Sequence, residues 1–258
     1  MGNNGKPTVG IFGFTGCAGC QLNILNLEDH LVDLLGLIDI TTWVMAKGEN
    51  GPGPWDIALV EGSIAKNSEI ERIKKIRENC KILVTIGSCA THGGLPAMRN
   101  VRDTQSMMKT VYGDKIVHLD VMEKIMPVSH YVKVDAQLPG CPMDKNEFVE
   151  AVKAIAVGKT PVVPNYSICY ECRIRENACL LKEGKFCMGP VTQAGCNALC
   201  PSNGAACEGC RGPVAQVNWG AEYKILEELG ATPEDIRRRF LKYCPSTADM
   251  PKFQELSF

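Results

Sequence analysis

The chain has 258 residues, enough to bury a full hydrophobic core and to divide into two unequal parts. Hydrophobic residues make up 45% of it, charged residues make up 22%, and the formal net charge is −1, a balance that does not favour nucleic acid or an anionic membrane as the main partner. No apolar run approaches the roughly 20 residues that a transmembrane helix needs, so we expect no transmembrane anchor.

Strand and helix patterns alternate through the first 160 residues. The predicted elements are a strand at 8–14, a helix at 21–36, strands at 38–44 and 56–60, a helix at 68–79, strands at 81–86 and 131–134, and a helix at 144–157. Ser68 is predicted to cap its helix, with Glu71 at the capping-box position. Strands alternating with helices predict a mostly parallel sheet covered on both faces, a flavodoxin-like, doubly wound α/β fold.

The composition changes near residue 160. Cysteine, glycine and proline dominate 161–213, and no regular period is visible there. Such a segment has too little apolar material to fold by itself, so bound metal clusters would have to organise it. Closing helices are predicted at 214–230 and 232–243, the second capped by Thr232 ahead of Pro233. We therefore divide the chain into a flavodoxin-like domain, 1–160, and a smaller, irregular iron–sulfur domain, 161–258.

Twelve of the fourteen cysteines form three groups of four. They are Cys17, Cys20, Cys89 and Cys141; then Cys169, Cys172, Cys179 and Cys187; then Cys196, Cys200, Cys207 and Cys210. Thiolates are soft ligands, and four of them suit an iron–sulfur cluster or zinc. The first group follows the ends of three predicted strands, and the carboxyl ends of parallel strands meet at one edge of a sheet. No signal-peptide pattern precedes the first strand, which predicts a cytoplasmic location, where clustered cysteines favour metal or redox chemistry over disulfides.

Six separated motifs resemble those of the small, electron-transferring subunit of NiFe hydrogenases. They are Cys17-Ala18-Gly19-Cys20-Gln21, Glu61-Gly62-Ser63, Gly87-Ser88-Cys89-Ala90, Gly140-Cys141-Pro142, Cys187-Met188-Gly189-Pro190-Val191-Thr192 and Cys207-Glu208-Gly209-Cys210-Arg211-Gly212-Pro213. The resemblance covers nearly the whole chain. It is greatest to the cytoplasmic branch, particularly the delta subunit of sulfhydrogenase-type, NAD(P)-linked enzymes.

The resemblance implies three 4Fe-4S clusters and no catalytic side chain on this polypeptide. Cys17, Cys20, Cys89 and Cys141 would hold the proximal cluster, Cys196, Cys200, Cys207 and Cys210 the medial cluster, and Cys169, Cys172, Cys179 and Cys187 the distal cluster. The nickel–iron centre would belong to a separate large subunit, and the leucine-rich helix after Cys20 is a candidate for the contact with it. Electrons would pass to a flavin- and/or iron–sulfur-containing diaphorase-type subunit. The periplasmic branch has histidine where this chain has Cys169, and all-cysteine ligation tends toward a lower potential.

Several alternatives stay open on the sequence. Four-cysteine zinc sites, a flavin at the sheet edge and disulfides are the chemical ones. Within the hydrogenase interpretation, the acceptor could be a deazaflavin or a heterodisulfide reductase complex. The chain could also be an iron–sulfur subunit related to complex I, although Cys17 and Cys20 are not adjacent as in that family, or a stand-alone electron carrier.

Four further residues receive no assigned role. Cys80 is expected to be a buried thiol, and Cys244 either a buried or a surface one. His92 either donates a hydrogen bond to a cluster sulfur or lies in a solvated loop. Glu61 either orients the cluster loop, carries protons or is a structural carboxylate.

Overall fold

The computed structural model describes residues 5–115 and 119–246, and the side chain of Asp29 is outside the description. The strands are β1 (Thr8–Gly13), β2 (Asp39–Trp43), β3 (Trp55–Glu61), β4 (Cys80–Ile86) and β5 (Ala136–Leu138). The α-helices are α1 (Gly19–Leu25), α2 (Asp29–Leu37), α3 (Asn67–Glu78), α4 (Gly87–His92), α5 (Thr104–Tyr112), α6 (Lys145–Ala156), α7 (Ile168–Ile174), α8 (Leu199–Ser202), α9 (Trp219–Glu228) and α10 (Pro233–Leu241). Two 3₁₀ helices lie at Leu95–Val101 and Val128–His130.

The five strands form one parallel sheet in the order β2-β1-β3-β4-β5. This is the order of flavodoxin-like sheets, in which ligands bind outside the carboxyl ends of the strands where the order reverses. In the register, Glu61 of β3 lies between Gly13 of β1 and Ile86 of β4, and Ile86 lies beside Leu138 of β5. The carboxyl ends of four strands are therefore level at one edge. The predicted flavodoxin-like α/β fold is confirmed.

Apolar clusters cover both faces of the sheet. Val9 and Ile11 of β1 belong to a cluster with residues of α1, α2 and α6, whereas Phe12 belongs to a cluster with residues of α3. Ile57 and Ala58 of β3 divide between the two clusters in the same way. Successive side chains of a strand point to opposite faces, so each strand supplies apolar residues to both layers.

A separate apolar cluster lies in the second part of the chain. Its buried members extend from Ile168 to Phe240, and the rings of Trp219 and Phe240 lie 4.8 Å apart in it. The two closing helices α9 and α10 supply much of this cluster, which compensates for the low apolar content of 161–213. The predicted boundary at residue 160 stays a prediction, and 247–258 of the second domain lie outside the described residues.

The fifth strand lies at Ala136–Leu138 and not at 131–134 as the pattern predicts. Val132 and Val134 instead pack against the apolar cluster beside α3. The chain reaches β4 only at Asp135, whose N–H donates to the Leu83 carbonyl at 2.9 Å. An alternation of apolar residues therefore predicted burial correctly here but placed the strand too early.

Three predicted helices differ in their bounds. The helix predicted at 21–36 is broken between α1 and α2, where Glu28 has a positive φ of 55°. Ser68 does not cap α3: its hydroxyl donates to Asp120 at 2.5 Å, while Glu69 accepts the Lys66 N–H at 3.2 Å. The helix predicted from 214 begins only at Trp219, because the Asn218 side chain caps it. Among the helices that the structure describes, none combines the length and apolar character required to cross a membrane.

Candidate metal-cluster sites

The first group of cysteines lies at the carboxyl edge of the sheet. Cys17 precedes α1, Cys20 lies in its first turn, Cys89 lies in α4 directly after β4, and Cys141 follows β5. The four thiols are electrostatic neighbours, since Cys89 interacts with Cys17 and Cys141, and Cys20 interacts with Cys89 and Cys141. The structure thus brings together four residues that are separated by up to 124 positions in the sequence.

The buried thiols of this group resist ionisation. Burial, with a smaller contribution from neighbouring thiols and Glu61, raises the pKa of Cys20 and of Cys89 to about 12 each. The pKa of Cys141 is raised for the same reasons, burial first. Four crowded thiolates need a cationic centre to compensate their repulsion and desolvation, and bound metal supplies that charge. The donor set therefore fits a metal cluster.

Glu61 organises the loop that carries two of these thiols. Its buried carboxylate accepts the Cys20 N–H at 2.8 Å and the Gln21 side-chain N–H at 2.7 Å. Gln21 in turn accepts the indole N–H of Trp43 at 2.9 Å. Of the three roles left open for Glu61, the contacts favour orientation of the cysteine loop.

Gly87 allows two of the cysteine-bearing segments to approach each other. It has a φ of +81°, and a Cβ there would collide with the Cys20 sulfur. A side chain at this position would be strained by the backbone and excluded by the thiol. The Gly87-Ser88-Cys89 turn is thus shaped by the space that the thiols occupy.

The second group, Cys169, Cys172, Cys179 and Cys187, lines a single cavity of about 330 Å³. A Cβ on Gly189 would lie 3.4 Å from the Cys169 sulfur and 3.5 Å from the Cys187 sulfur, so glycine leaves the space beside these thiols open. Burial, with a smaller contribution from the other three thiols, raises the pKa of Cys169 to about 12. A cavity with four convergent sulfurs fits a metal cluster.

Two sulfurs of this group accept hydrogen bonds. The Cys207 N–H donates to the Cys187 sulfur at 3.3 Å, and the Asn177 side-chain N–H donates to the Cys172 sulfur at 3.6 Å. N–H donors to thiolates stabilise their negative charge and tune the potential of a bound cluster. These two hydrogen bonds could not be predicted from the sequence, because the spacing of the cysteines does not indicate which N–H groups lie beside the sulfurs.

The third group combines Cys196, Cys200, Cys207 and Cys210. Cys210 interacts electrostatically with Cys196 and Cys200, and Cys207 interacts with Cys210. Burial raises the pKa of Cys210 to about 11 and raises that of Cys207 more strongly. The short spacing between Cys200 and Cys207 does not keep Cys200 away from the group, although Cys200 is exposed.

The three groups are contiguous. The backbone of Cys141, in the strand-edge group, is hydrogen-bonded to the Cys210 thiol of the third group. This bond lowers the pKa of Cys210, whereas burial raises it. The Ser88 hydroxyl also donates to the Cys210 carbonyl. At the other end of the third group, the Cys207 N–H contacts the Cys187 sulfur of the second. The order in space is therefore strand edge, third group, second group.

Arg211 connects a loop of the strand-edge group to a loop of the third group. Its side chain is only 1% exposed and forms a two-pronged ion pair with Glu147 of α6, at 2.7 and 2.9 Å. It also donates to the carbonyls of Pro139, just before Cys141, and Ala194, just before Cys196, at 2.8 Å each. This clamp was not predicted, because no sequence signal relates positions 147 and 211.

Glu171 connects the second group of cysteines to the third group. It lies between Cys169 and Cys172, and its buried carboxylate accepts the N–H groups of Gly195 at 2.8 Å and Ala198 at 3.0 Å, which flank Cys196. A charged acceptor satisfying two backbone donors fixes a loop that has no regular structure of its own. Each junction between neighbouring groups thus has a buried charged residue.

His92 does not lie in a solvated loop, since it ends α4 and its ring packs against Gly212, and its hydrogen bond to a cluster sulfur stays a prediction. Its Nε2 lies 3.1 Å from the Arg211 carbonyl, and a Cβ on Gly212 would collide with its ring. Burial lowers the pKa of His92 to about 4, so the ring is neutral near pH 7. Cys80 is a buried thiol as predicted, and Cys244 is also buried, with an electrostatic interaction with Cys210.

Within 5–115 and 119–246, no three His, Cys, Asp or Glu side chains are close enough together to bind one metal ion. A structural zinc ion needs four ligands in direct contact, with its sulfurs about 2.3 Å from the metal. Zinc therefore stays an alternative to iron–sulfur clusters, and metal analysis separates the two.

Comparisons with known proteins agree on one family. The sequence profile of the family described as NADH ubiquinone oxidoreductase, 20 Kd subunit, matches residues 17–155. Sulfhydrogenase 2 subunit delta of Pyrococcus furiosus is 38% identical over 232 residues, which cover 90% of this chain and 96% of that protein. A subunit of the F420-non-reducing hydrogenase vhu of Methanococcus voltae is 32% identical, with 82% of this chain and 84% of that protein covered. A chain of an NAD+-reducing [NiFe]-hydrogenase in the H2-reduced state superposes with a TM-score of 0.57 at 26% identity, covering 62% of this chain and 96% of that one.

Proposed function

The chain belongs to the NADH ubiquinone oxidoreductase 20 Kd subunit family, as the small, electron-transfer subunit of a NiFe hydrogenase, and we propose that it relays electrons through three 4Fe-4S clusters. Twelve cysteines would hold them: Cys17, Cys20, Cys89 and Cys141 the proximal, Cys196, Cys200, Cys207 and Cys210 the medial, and Cys169, Cys172, Cys179 and Cys187 the distal cluster. When bound, iron–sulfur clusters at these sites supply one-electron chemistry. Hydrogen is cleaved on the partner large subunit, and no side chain of the small subunit is catalytic.

The contiguity of the three cysteine groups is the observation that carries this proposal. One hydrogen bond joins Cys141 to Cys210, and another joins the Cys207 N–H to the Cys187 sulfur. Arg211 and Glu171 hold these junctions in place without any exposed charge. The chain's own contribution is to fix the spacing of the groups, exclude water and donate hydrogen bonds to the sulfurs.

We propose that α1 contacts the large subunit. Cys17, beside α1, is exposed. Leu22 and Leu25 of α1, next to the cysteine loop, are exposed as well, whereas the exposed Leu35 and Leu37 lie at the end of α2, beside the amino ends of β1 and β2. An apolar surface beside the strand-edge thiols is suited to a permanent interface that excludes water from the first group.

The acceptor is proposed to be NAD(P), reached through a flavin- and/or iron–sulfur-containing diaphorase-type subunit in the cytoplasm. The similarity to a chain of an NAD+-reducing hydrogenase and the cysteine at position 169 support this choice. A heterodisulfide reductase complex or a deazaflavin is the alternative acceptor.

Anaerobic purification of the native complex tests the proposal. The expected result is about 12 irons per chain and a co-purifying subunit that contains nickel. Zinc in place of iron, or iron without a nickel-containing partner, would reverse the assignment. Substituting the exposed Cys200 with serine should leave the medial group with three thiols and lower the iron content, as measured by metal analysis.

A further inference from the structure

An exposed surface surrounds the cavity of the second cysteine group. Cys179 is exposed, and Arg173 and Lys182 line the same cavity as the four thiols. Arg175 lies in the same segment, one residue beyond α7, and is exposed as well. We call Arg173, Arg175 and Lys182, together with the exposed Ile174 and Leu199, the distal rim.

The cations of the distal rim are not neutralised. In the part of the chain that the structure describes, Arg173, Arg175 and Lys182 form no ion pair. Some exposed cations elsewhere are paired, as Arg238 is with Glu234, and others, such as Lys75 and Lys109, are not. Lys185, which follows them, pairs with Glu183. Glu176 is the one acidic residue between Arg173 and Lys182 in the sequence, so the segment of the distal rim has a net positive charge on a chain whose formal net charge is −1.

Apolar side chains accompany these charges. Ile174 at the end of α7 is 65% exposed, and Leu199 at the start of α8 is 62% exposed. The two elements border the same cavity, because Pro201 of α8 also lines it. An apolar patch beside unpaired charges is the composition of an interface between proteins and is unlike a surface that only faces water.

We propose that the distal rim binds a redox protein that presents carboxylates around its own cofactor, and that this partner receives electrons there. The inference rests on the proposed function and specifies the partner's surface. In the transfer step one electron moves from the group held by the four cysteines to the partner's cofactor, and no bond is made or broken. The rim's cations orient the partner, and its apolar residues exclude water at the contact.

Carbodiimide cross-linking of the native complex at low ionic strength tests this directly. The reagent joins an amine to a carboxylate that lies against it, and Lys182 is the amine of the distal rim. We expect Lys182 to be linked to an Asp or Glu of the electron-accepting subunit, by peptide mass mapping. Lys74 and Lys75 on α3 are the control amines, for which no such link is expected. A complex in which Lys182 is linked only within its own chain or to the nickel-containing subunit overturns the proposal.

Charge reversal provides a second readout. The variant R173E/R175E/K182E should retain about tenfold less electron-accepting subunit than the wild type after a wash at low ionic strength, with the nickel subunit unaffected. Because Arg173 neighbours Cys172, the milder variant R175Q/K182Q is measured as well, and iron content is determined for both. The control K74E/K75E/K109E carries the same change in net charge on the other domain and should bind normally. Equal retention by all variants contradicts the rim's role, whereas a wild type without iron or nickel contradicts the proposed function itself.

Discussion

Buried charged residues, more than the cysteines alone, determine where the cysteine loops lie. Glu61 at the end of β3 accepts two hydrogen bonds from the loop of Cys20, and no other side chain among the described residues accepts from these two donors. Arg211 and Glu171 play the same part at the two junctions. Each of these three residues neutralises or satisfies several polar groups at once, so losing one leaves unpaired donors or acceptors in a buried place.

Replacing Glu61 with leucine should therefore loosen the strand-edge group first. Two buried hydrogen bonds to a charged acceptor contribute about 1.5–3 kcal/mol each, so we expect a fall in Tm of about 6–24 °C. About four of the 12 irons should be lost with it, as measured by metal analysis. Glu71→Gln changes an exposed carboxylate of α3 and serves as the control. Normal iron content in Glu61→Leu would mean that the carboxylate does not orient the loop.

The ion pair of Arg211 and Glu147 should behave as a buried pair does. Arg211→Met leaves a buried carboxylate without its partner, and we expect a loss of about 3–5 kcal/mol in the free energy of unfolding. Adding Glu147→Leu should restore part of this loss, since the double variant has no uncompensated charge. Lys153→Met, which removes an exposed pair, should change stability by about 0.5 kcal/mol or less. Denaturant unfolding of the wild type and the three variants measures these differences. Equal losses of unfolding free energy in Arg211→Met and Lys153→Met would contradict the role of Arg211 in holding the cysteine loops.

His92 should make stability depend on pH. Its pKa is lowered from 6.5 to about 4 by burial, so the unfolded chain binds a proton more readily than the folded one between these values. The contribution of the neutral ring is fully present above pH 6.5 and is lost as the pH falls through 4, by about 3 kcal/mol at most. His92→Gln should reduce the difference in Tm between pH 7 and pH 5. A variant with the wild-type pH dependence would show that the ring is protonated without cost.

At the level of elements, the sheet was predictable and the cysteine-rich segment was not. The ends of β1, β3 and β4 could be located because each is a short apolar run with a glycine close behind it, and the order of strand ends predicted that Cys17, Cys89 and Cys141 lie at one edge. The fifth strand was misplaced because Val132 and Val134 are apolar for a different reason, namely packing beside α3. Contacts such as Arg211 with Glu147 depend on how loops without periodicity fold, and no local pattern encodes them.

Removing iron should affect the two parts of the chain unequally. The sheet has apolar clusters on both faces, whereas 161–213 depends on α9, α10 and the cysteine groups for its order. After oxidative removal of iron with a chelator, amide hydrogen exchange should rise in 161–213 and stay slow in β1, β3 and β4. Faster exchange in the sheet strands, or none in 161–213, would show that the clusters are not what organises the second part.

For the whole molecule, the arrangement is a path from the carboxyl edge of the sheet to the opposite cysteine cavity. The strand-edge group lies beside an exposed apolar surface, the third group lies between the other two, and the second group opens through Cys179 to the distal rim. A protein that needed metal only for stability would not require the third group to contact both the strand-edge group and the second group. The contiguity is what a one-electron relay needs, since each transfer must cross a short, dry and fixed distance.

The central claim is that three separate iron–sulfur clusters on this chain receive electrons from hydrogen. Mössbauer spectroscopy of the iron-57-labelled pair of this chain and the nickel-containing subunit, freed of the electron-accepting subunit, measures this most directly when taken before and after anaerobic exposure to hydrogen. Besides the iron of the nickel subunit, we predict three 4Fe-4S components in equal amounts, reduced by hydrogen in the wild type, with the distal component lost selectively in Cys179→Ser. A single component, or three components that hydrogen does not reduce while the nickel subunit is active, would contradict the account.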